Sequence, residues 1–162
     1  MLLEATTPES FSFKSRPIPV PGDLRIGWRV ALIILMLGNS RSKQASLAKL
    51  HILNDAIRSP TSSVAQLDSI VNKRMGELPW HFCVEPAFAR AIDFAVGDKL
   101  AEWTRCNDRT ALILTPPGIS AFAILSKLDG VLTSERSILE NYAKSITESA
   151  VTSFLGARRQ NV

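Results

Sequence analysis

The chain of 162 residues contains few of the residues on which most active-site chemistry depends. It has two cysteines, Cys83 and Cys106, and two histidines, His51 and His81, and each pair is divided between separate segments. None of them has the spacing of a metal site, and two isolated thiols fit a reducing cytoplasm better than a disulfide framework. The sequence therefore predicts no metal site and a cytoplasmic location.

Motifs for catalysis and nucleotide binding are also missing. The sequence has no Gly-x-x-x-x-Gly-Lys phosphate loop, no Gly-x-Ser-x-Gly nucleophile elbow and no histidine pair at zinc spacing. The longest apolar run, residues 30–37, is far shorter than the ~20 residues that cross a bilayer, and the chain does not begin with a secretory signal pattern. We therefore expect a protein that is not an enzyme, uses no cofactor and does not enter a membrane.

What the sequence does contain is an uneven distribution of charge. The net charge is +4, and residues 14–58 hold eight Lys or Arg against two Asp, which gives this segment a net charge of +6. Residues 59–162 carry eleven charges of each sign and are neutral. The basic segment can meet phosphates or an acidic partner, and a solvated helical face is an equally good explanation of the same pattern.

The chain is predicted to have an extended arm, one domain and a short tail. Residues 1–22 form the arm, because four prolines oppose a helix there. Its apolar residues indicate that it lies on a surface, either of its own domain or of a partner. Residues 23–156 are expected to form a single domain, which is the usual outcome for a chain of this length, and residues 157–162 a frayed tail.

Apolar spacing and end signals predict six helices in the domain. They cover residues 24–38, 43–58, 63–75, 86–97, 117–128 and 135–155. The first helix is apolar on all sides, so we expect it at the centre of the domain, with Asp23 as its N-cap. Pro60 is expected to stop the second helix, Gly156 to end the last, and residues 80–84 to form a short edge strand.

The segment between the fourth and fifth helices predicts a β-hairpin. Alternating residues predict a strand that ends at Trp103, residues 104–110 a polar turn, and residues 111–114 an apolar strand. Thr115 is expected to cap the following helix. This order predicts a mostly α fold with a small β-hairpin, namely a winged-helix-like domain with extra helices. An ordinary hairpin in an α+β domain is the alternative.

A winged helix narrows function to nucleic-acid binding or protein assembly. The candidate nucleic-acid contacts are the basic side chains of the basic segment, the fourth helix and the wing: Arg41, Lys43, Lys49, Arg58, Arg90, Arg105 and Arg109. The fourth helix also carries Asp93 and Asp98, which are unfavourable beside phosphates. The candidate partner contacts are apolar or aromatic residues of the arm and the last helix: Phe11, Phe13, Ile18, Val20, Tyr142 and Phe154.

Several motifs resemble those of a known family. They are the apolar helix with Gly-Asn-Ser-Arg and Ala-Ser-Leu-Ala-Lys-Leu-His-Ile-Leu-Asn (residues 30–58), Pro-Ala-Phe-Ala-Arg-Ala-Ile-Asp-Phe-Ala (86–95), Leu-Ala-Glu-Trp (100–103) and Leu-Thr-Pro-Pro-Gly (114–118). Together they are similar to the middle component of prokaryotic three-component ABC-ATPase defence systems of the Lamassu type. The resemblance covers roughly residues 16–155.

The resemblance implies a non-catalytic winged-helix subunit in an antiviral or antiplasmid complex. Its partners would be an ABC ATPase of the SMC/Rad50-like class and a nuclease-type effector, with DNA reached through the complex. The rival hypothesis is a stand-alone winged-helix regulator of transcription that binds DNA as a homodimer. The sequence alone leaves both open, together with self-association.

Overall fold

Residues 25–58, 60–72 and 85–159 are described by a computed structural model of the protein. In these ranges the chain forms seven α-helices and one three-stranded antiparallel sheet, which confirms the predicted mostly α class with a small β-hairpin. The elements are α1 (Ile26–Gly38), β1 (Gln44–Ser46), α2 (Leu47–Arg58), α3 (Pro60–Val71), α4 (Pro86–Gly97), β2 (Ala101–Cys106), β3 (Arg109–Leu114), α5 (Pro116–Leu125), α6 (Thr133–Tyr142) and α7 (Glu148–Arg159). The predicted arm and the predicted edge strand lie outside the described residues.

Helix α1 lies at the centre of the structure, as its apolar sequence predicts. Residues 32–37 are all buried, so the helix is covered on every side. It packs mainly against α4 and α5 and also contacts β3, α2 and α6. The helix begins at Ile26 with Arg25 in the N-cap position, and the predicted cap Asp23 lies outside the described residues.

Strand β1 occupies a segment for which the sequence predicts helix. A 3₁₀ turn at Arg41–Lys43 precedes it, and α2 begins only at Leu47 instead of residue 43. The left-handed backbone of Ser42 and Lys43 (φ 55° and 53°) prevents a continuous helix here. Because the strand has only three residues and its hydrogen-bonding partners lie on β3, no local pattern in the sequence indicates it.

The hairpin is longer than predicted and its turn is shorter. Strands β2 and β3 pair from Ala101–Leu114 to Cys106–Arg109, so only Asn107 and Asp108 form the turn. Both turn residues have positive φ (49° and 59°), the combination of a type I′ turn. Such a turn matches the twist of the strands, which therefore extend through residues that the polar composition assigns to a loop.

The sheet has the strand order β1-β3-β2, and its two faces differ in character. Ala45, Leu112 and Leu114 share the face that meets the hydrophobic core. The register places Gln44 and Cys106 on the opposite face. This second face is more polar, and the cleft described below lies on it.

Helix α5 starts as predicted, through a cap and a close backbone contact. The Thr115 hydroxyl accepts a hydrogen bond from the backbone N–H of Gly118 at 3.3 Å, which confirms the predicted N-cap. Gly118 is buried, and a Cβ at this position would overlap the carbonyl oxygen of Leu100. The first turn of α5 can therefore lie against the start of the hairpin only because residue 118 has no side chain.

Replacing Gly118 with alanine is expected to lower the free energy of unfolding by about 1–3 kcal/mol, because the backbone at Leu100 must move away. Gly97 is the matched control, since a Cβ there meets no atom within 4 Å. Gly97→Ala should leave stability unchanged or raise it by up to ~1 kcal/mol. Urea denaturation of both variants measures the difference, and equal stabilities would contradict the close contact.

The predicted last helix is wrong, because residues 135–155 are divided between two helices. Helix α6 ends at Tyr142, and α7 starts at Glu148 and continues past Gly156 to Arg159. The Thr147 hydroxyl accepts a hydrogen bond from the backbone N–H of Ala150 at 3.2 Å and so caps the new helix. Both sides of the break carry buried residues at helical spacing, so the apolar periodicity does not reveal the interruption.

Two further boundaries correct the predictions. Pro60 begins α3 and does not merely end α2, since a proline is well tolerated in the first turn of a helix. The predicted tail is helical through Arg159. Helix α4 covers residues 86–97, as predicted.

Candidate functional site

A cleft of about 240 Å³ lies on the polar side of the sheet, where the hairpin, the α1–β1 connection and the start of α7 meet. The residues around it are predominantly polar or charged, and they are Arg41, Ser42, Gln44, Lys49, Cys106, Asn107, Ile146, Thr147, Glu148 and Ser149. These residues come from four separate parts of the chain. Sequence analysis singles out only Arg41 and Lys49 among them as candidate site residues, and for a different role.

Lys49 is the most unusual residue of the cleft. It lies in the first turn of α2, and only 2% of its surface is exposed. Burial lowers its pKa from 10.5 to about 8, and the nearby charge of Glu148 offsets part of this effect. Within the described ranges, its ammonium group forms no hydrogen bond or ion pair. Buried lysines are normally paired, so this one carries a desolvation cost that the charge of Glu148 offsets only in part.

Glu148 is the acidic residue of the same cleft. Its Oε1 accepts a hydrogen bond from the backbone N–H of Ser46 at 3.0 Å, which ties α7 to β1. Its Oε2 is buried and has no hydrogen-bond partner among the described residues. The cleft therefore holds a buried cation and a buried carboxylate oxygen that do not satisfy each other.

The other side chains around the cleft are polar and partly constrained. The Arg41 Nε donates to the backbone carbonyl of Lys144 at 3.3 Å, which holds this exposed guanidinium at the rim. The Cys106 thiol lies 3.9 Å from the Gln44 amide nitrogen. Burial and the charge of Glu148 raise the pKa of this thiol, which keeps it protonated and weakly nucleophilic.

A second polar cluster lies inside the protein, between α1, α2 and the start of α4. The buried Arg29 guanidinium donates two hydrogen bonds to Glu85, at 2.6 and 2.7 Å. Asn54 and Arg58 also contact this carboxylate, at 3.2 and 3.0 Å. Burial raises the pKa of Glu85, but these hydrogen bonds and positive charges outweigh that effect and lower it overall. Since Arg29, Asn54 and Arg58 all contact Glu85, this cluster connects α1 and α2 with the start of α4.

The histidine that the structure describes belongs to the core. The His51 ring meets Phe88 edge to face, with 5.2 Å between the ring centroids. Burial lowers the pKa of His51, and Glu85 opposes that shift. In the part of the chain that the structure describes, no three His, Cys, Asp or Glu residues are grouped so that they could hold a metal ion.

The predicted nucleic-acid contacts have different surroundings in the structure. Lys49 is buried, which removes it from any contact with a phosphate backbone. Arg58 is paired with Glu85, and the Lys43 ammonium lies 4.9 Å from the centroid of the Phe122 ring. Arg90 and Arg105 are exposed, and so are three acidic side chains on the same two elements: Asp93, Asp98 and Glu102. Arg109 is half-buried on β3, and Arg41 lies at the cleft.

Two of the predicted partner contacts, Tyr142 and Phe154, lie against other parts of their own chain. The Tyr142 hydroxyl donates to the carboxylate of Asp68 at 2.9 Å, so this residue holds α6 against α3. Phe154 is half-buried against the core of its own chain. The four apolar arm residues Phe11, Phe13, Ile18 and Val20 lie outside the described residues. A role for them in partner binding stays a prediction.

The structure shows an exposed apolar surface on α5 that is not among the sites predicted from the sequence. Residues 116–126 contain no charged side chain, yet Gly118 is the only buried residue of this helix. We define the α5 face by the exposed residues Ile119, Ser120, Ala123 and Ile124, which are neighbours at helical spacing. Ile124 is 63% exposed and Ile119 40%. The absence of charge is visible in the sequence, but it is equally typical of a buried helix.

Comparisons with known proteins do not assign this chain to a family. No protein-family model, no curated protein and no solved structure matches it. None of the helices in the described ranges has both the length and the apolar character needed to cross a membrane.

Proposed function

We propose that this chain is a non-catalytic accessory subunit that binds an SMC/Rad50-like ABC ATPase through the α5 face, in a cytoplasmic antiviral or antiplasmid defence complex. The ATPase and the defence role follow from the sequence resemblance described above. The observation that carries an assembly role is the α5 face itself, an uncharged helical surface open to solvent. A nuclease-type effector would be the third component.

The same proposal includes a winged-helix-like domain. The element order, in which α1, β1 and a set of helices precede the β2–β3 hairpin, supports it, as does the strand order β1-β3-β2. In such a domain α4 takes the place of the recognition helix and the hairpin is the wing. Helix α5 follows the wing and lies against α1, so its other side is available to a partner.

The physical argument for a partner rests on the composition of α5. A helix that is apolar on all sides is normally covered, and contiguous exposed apolar surface marks sites of protein contact. Ile124 and Ile119 expose much of their side chains, and Leu128 (41%) and Val131 (48%) are also exposed in the segment after the helix. Covering such side chains contributes about 25 cal/mol for each Å² removed from water, which favours association.

The α5 face is tested by co-expression of the chain with an SMC/Rad50-like ATPase encoded beside its gene. The ATPase should co-purify with the wild-type chain. The variant Ile124→Glu should reduce its recovery at least tenfold, or about 1.4 kcal/mol, because a carboxylate would be buried in an apolar contact.

Ile26→Glu is the matched control for this experiment. Ile26 is an exposed isoleucine too (40%, against 63% for Ile124), but it lies at the start of α1, where a negative charge favours the helix. This variant should retain the ATPase. The proposal would be wrong if the wild-type chain did not recover the ATPase, or if Ile124→Glu recovered as much as the control.

A stand-alone DNA-binding role has less support from the described surface. The exposed charges of α4 are Arg90 and Asp93, with Asp98 at its C-cap, and the two acidic residues would repel phosphates. We expect duplex DNA to bind the isolated chain no more tightly than about 10⁻⁶ M at physiological salt, measured by fluorescence anisotropy. Tight, salt-sensitive binding that Arg105→Ala and Arg109→Ala both weaken would favour the regulator instead.

A further inference from the structure

The cleft between the hairpin and α7 has the features of a ligand site. Lys49 is 98% buried by exposed area, lines the cleft and has no hydrogen-bond or ion-pair partner for its ammonium among the described residues. Glu148 lines the same cleft, with its Oε2 buried and without a partner there. Burying two such groups lowers the stability of the folded protein, and side chains that reduce stability in this way concentrate at functional sites.

The two groups do not neutralise each other. No ion pair joins Lys49 to Glu148 within the 4 Å that defines one, although both belong to the same small cleft. An ammonium can donate three hydrogen bonds, and a carboxylate oxygen accepts them. A ligand that satisfies both groups must accept from Lys49 and donate to Glu148.

These requirements restrict the chemistry of the ligand. A simple anion would be attracted by Lys49 and Arg41 but repelled by Glu148. A simple cation would be attracted by Glu148 but repelled by Lys49 and Arg41. A molecule with an acidic group and an adjacent amino group satisfies both sides. The remaining lining residues are mostly polar in type, with Ile146 as the aliphatic one, but most of the surface that the cleft exposes is apolar.

The size of the cleft restricts the ligand further. Its volume of about 240 Å³ is less than the ~300–1,000 Å³ of sites for drug-sized molecules. It corresponds to roughly eight water molecules at about 30 Å³ each. A small amino acid fits within this space, and a larger ligand would extend beyond it into solvent.

We infer that this cleft binds a free α-amino acid as a zwitterion. The carboxylate lies against Lys49 and Arg41, and the ammonium lies against the Glu148 carboxylate, whose buried Oε2 must turn toward the cleft to accept from it. The site shares no residue with the α5 face and does not depend on the proposed ATPase. It is a binding site for a small-molecule signal or metabolite, and no covalent step is involved.

The test uses the purified full-length chain and calorimetric titration with each of the twenty amino acids. At least one should bind, and acetate and ethylamine, which each supply only one of the two charges, should bind at least tenfold more weakly. Lys49→Met and Glu148→Gln should each weaken the binding of that amino acid at least tenfold. Glutamine keeps the oxygen that accepts from Ser46, so α7 should remain in place.

Lys43→Met is the matched control, because Lys43 is a nearby cation that does not line the cleft. It should bind the amino acid as the wild-type chain does. The inference would be overturned if no amino acid bound, if acetate bound as tightly, or if Lys43→Met weakened binding as much as Lys49→Met. Circular dichroism checks that each variant is folded. If Lys49→Met does not fold, the amino-acid binding of Glu148→Gln tests the inference alone.

Discussion

Replacing Glu85 with alanine is expected to lower the free energy of unfolding by about 3–5 kcal/mol. The reason is the side chain of Arg29, which has no exposed surface and donates both of its terminal nitrogens to this carboxylate. Without Glu85, a guanidinium charge stays buried with no compensating group. Chemical denaturation monitored by circular dichroism measures the change.

A double variant separates the pairing from the loss of side-chain volume. Arg29→Met combined with Glu85→Gln removes both charges, so it should be much less destabilised than Glu85→Ala alone. Arg58→Ala should cost no more than about 1 kcal/mol, since this arginine is 40% exposed and its pairing is screened by water. If Arg58→Ala were as damaging as Glu85→Ala, the stabilising role of the buried Arg29–Glu85 pair would be wrong.

The same pair gives the stability a defined acid dependence. The pKa of Glu85 is lowered below its ordinary value of 4.5, so the folded state favours the ionised carboxylate. Its contribution is complete above that ordinary value and disappears as the pH falls through the lowered pKa. The stability of Glu85→Ala should therefore fall less steeply with decreasing pH than that of the wild-type chain. Unfolding curves measured through the acid range will detect this difference.

Replacing Lys49 with methionine is expected to stabilise the ligand-free protein by about 3 kcal/mol at pH 7, which follows from lowering the pKa from 10.5 to about 8. Methionine has a similar length and no charge to desolvate, so the buried volume is kept while the cost is removed. The gain should come without new contacts. Thermal unfolding of the two proteins without added ligand measures it.

The sign of the pH dependence distinguishes this cause from a packing effect. The folded protein binds fewer protons than the unfolded chain between the lowered pKa of Lys49, about 8, and its ordinary value of 10.5. The wild-type chain therefore gains stability relative to the variant as the pH rises through this interval. The advantage of methionine should be complete below pH 8 and absent above 10.5. A constant advantage would contradict desolvation as the cause.

Lys43→Met is the control for this substitution as well. The Lys43 ammonium lies over the ring of Phe122, so its loss should destabilise the protein by up to about 1 kcal/mol, the opposite direction from Lys49→Met. If both variants were stabilised equally, removal of any positive charge from this basic segment would be the explanation. The uncompensated burial of Lys49 would then have no special role.

The features that the sequence predicts well depend on local information. The central position of α1 follows from its unbroken apolar run, and the bounds of α4 follow from a proline at its start and a glycine at its end. Thr115 is predicted as a cap because its hydroxyl bonds a residue only three positions away. In each case the interacting groups are close in the chain, so their spacing is visible in the sequence.

The candidate site could not be predicted in the same way. Strand β1 exists because Gln44–Ser46 pairs with residues 111–113, and the backbone of Ser46 reaches Glu148 across 102 positions of the chain. The α5 face could not be predicted for a different reason, since an uncharged helix sequence is compatible with both burial and a partner surface. Only the packing around the helix distinguishes these two possibilities.

The amino-acid sequence by itself determined the helical class, the central helix and the presence of a hairpin, because backbone hydrogen bonding and apolar periodicity act between neighbouring residues. Only the tertiary structure decided which charges are buried and what they meet. Arg29 is paired with Glu85, whereas Lys49 lines a cleft with Glu148 and forms no ion pair with it, although both cations lie in the same basic segment. The difference arises from contacts between residues far apart in the chain, which alone set the local dielectric and the available partners.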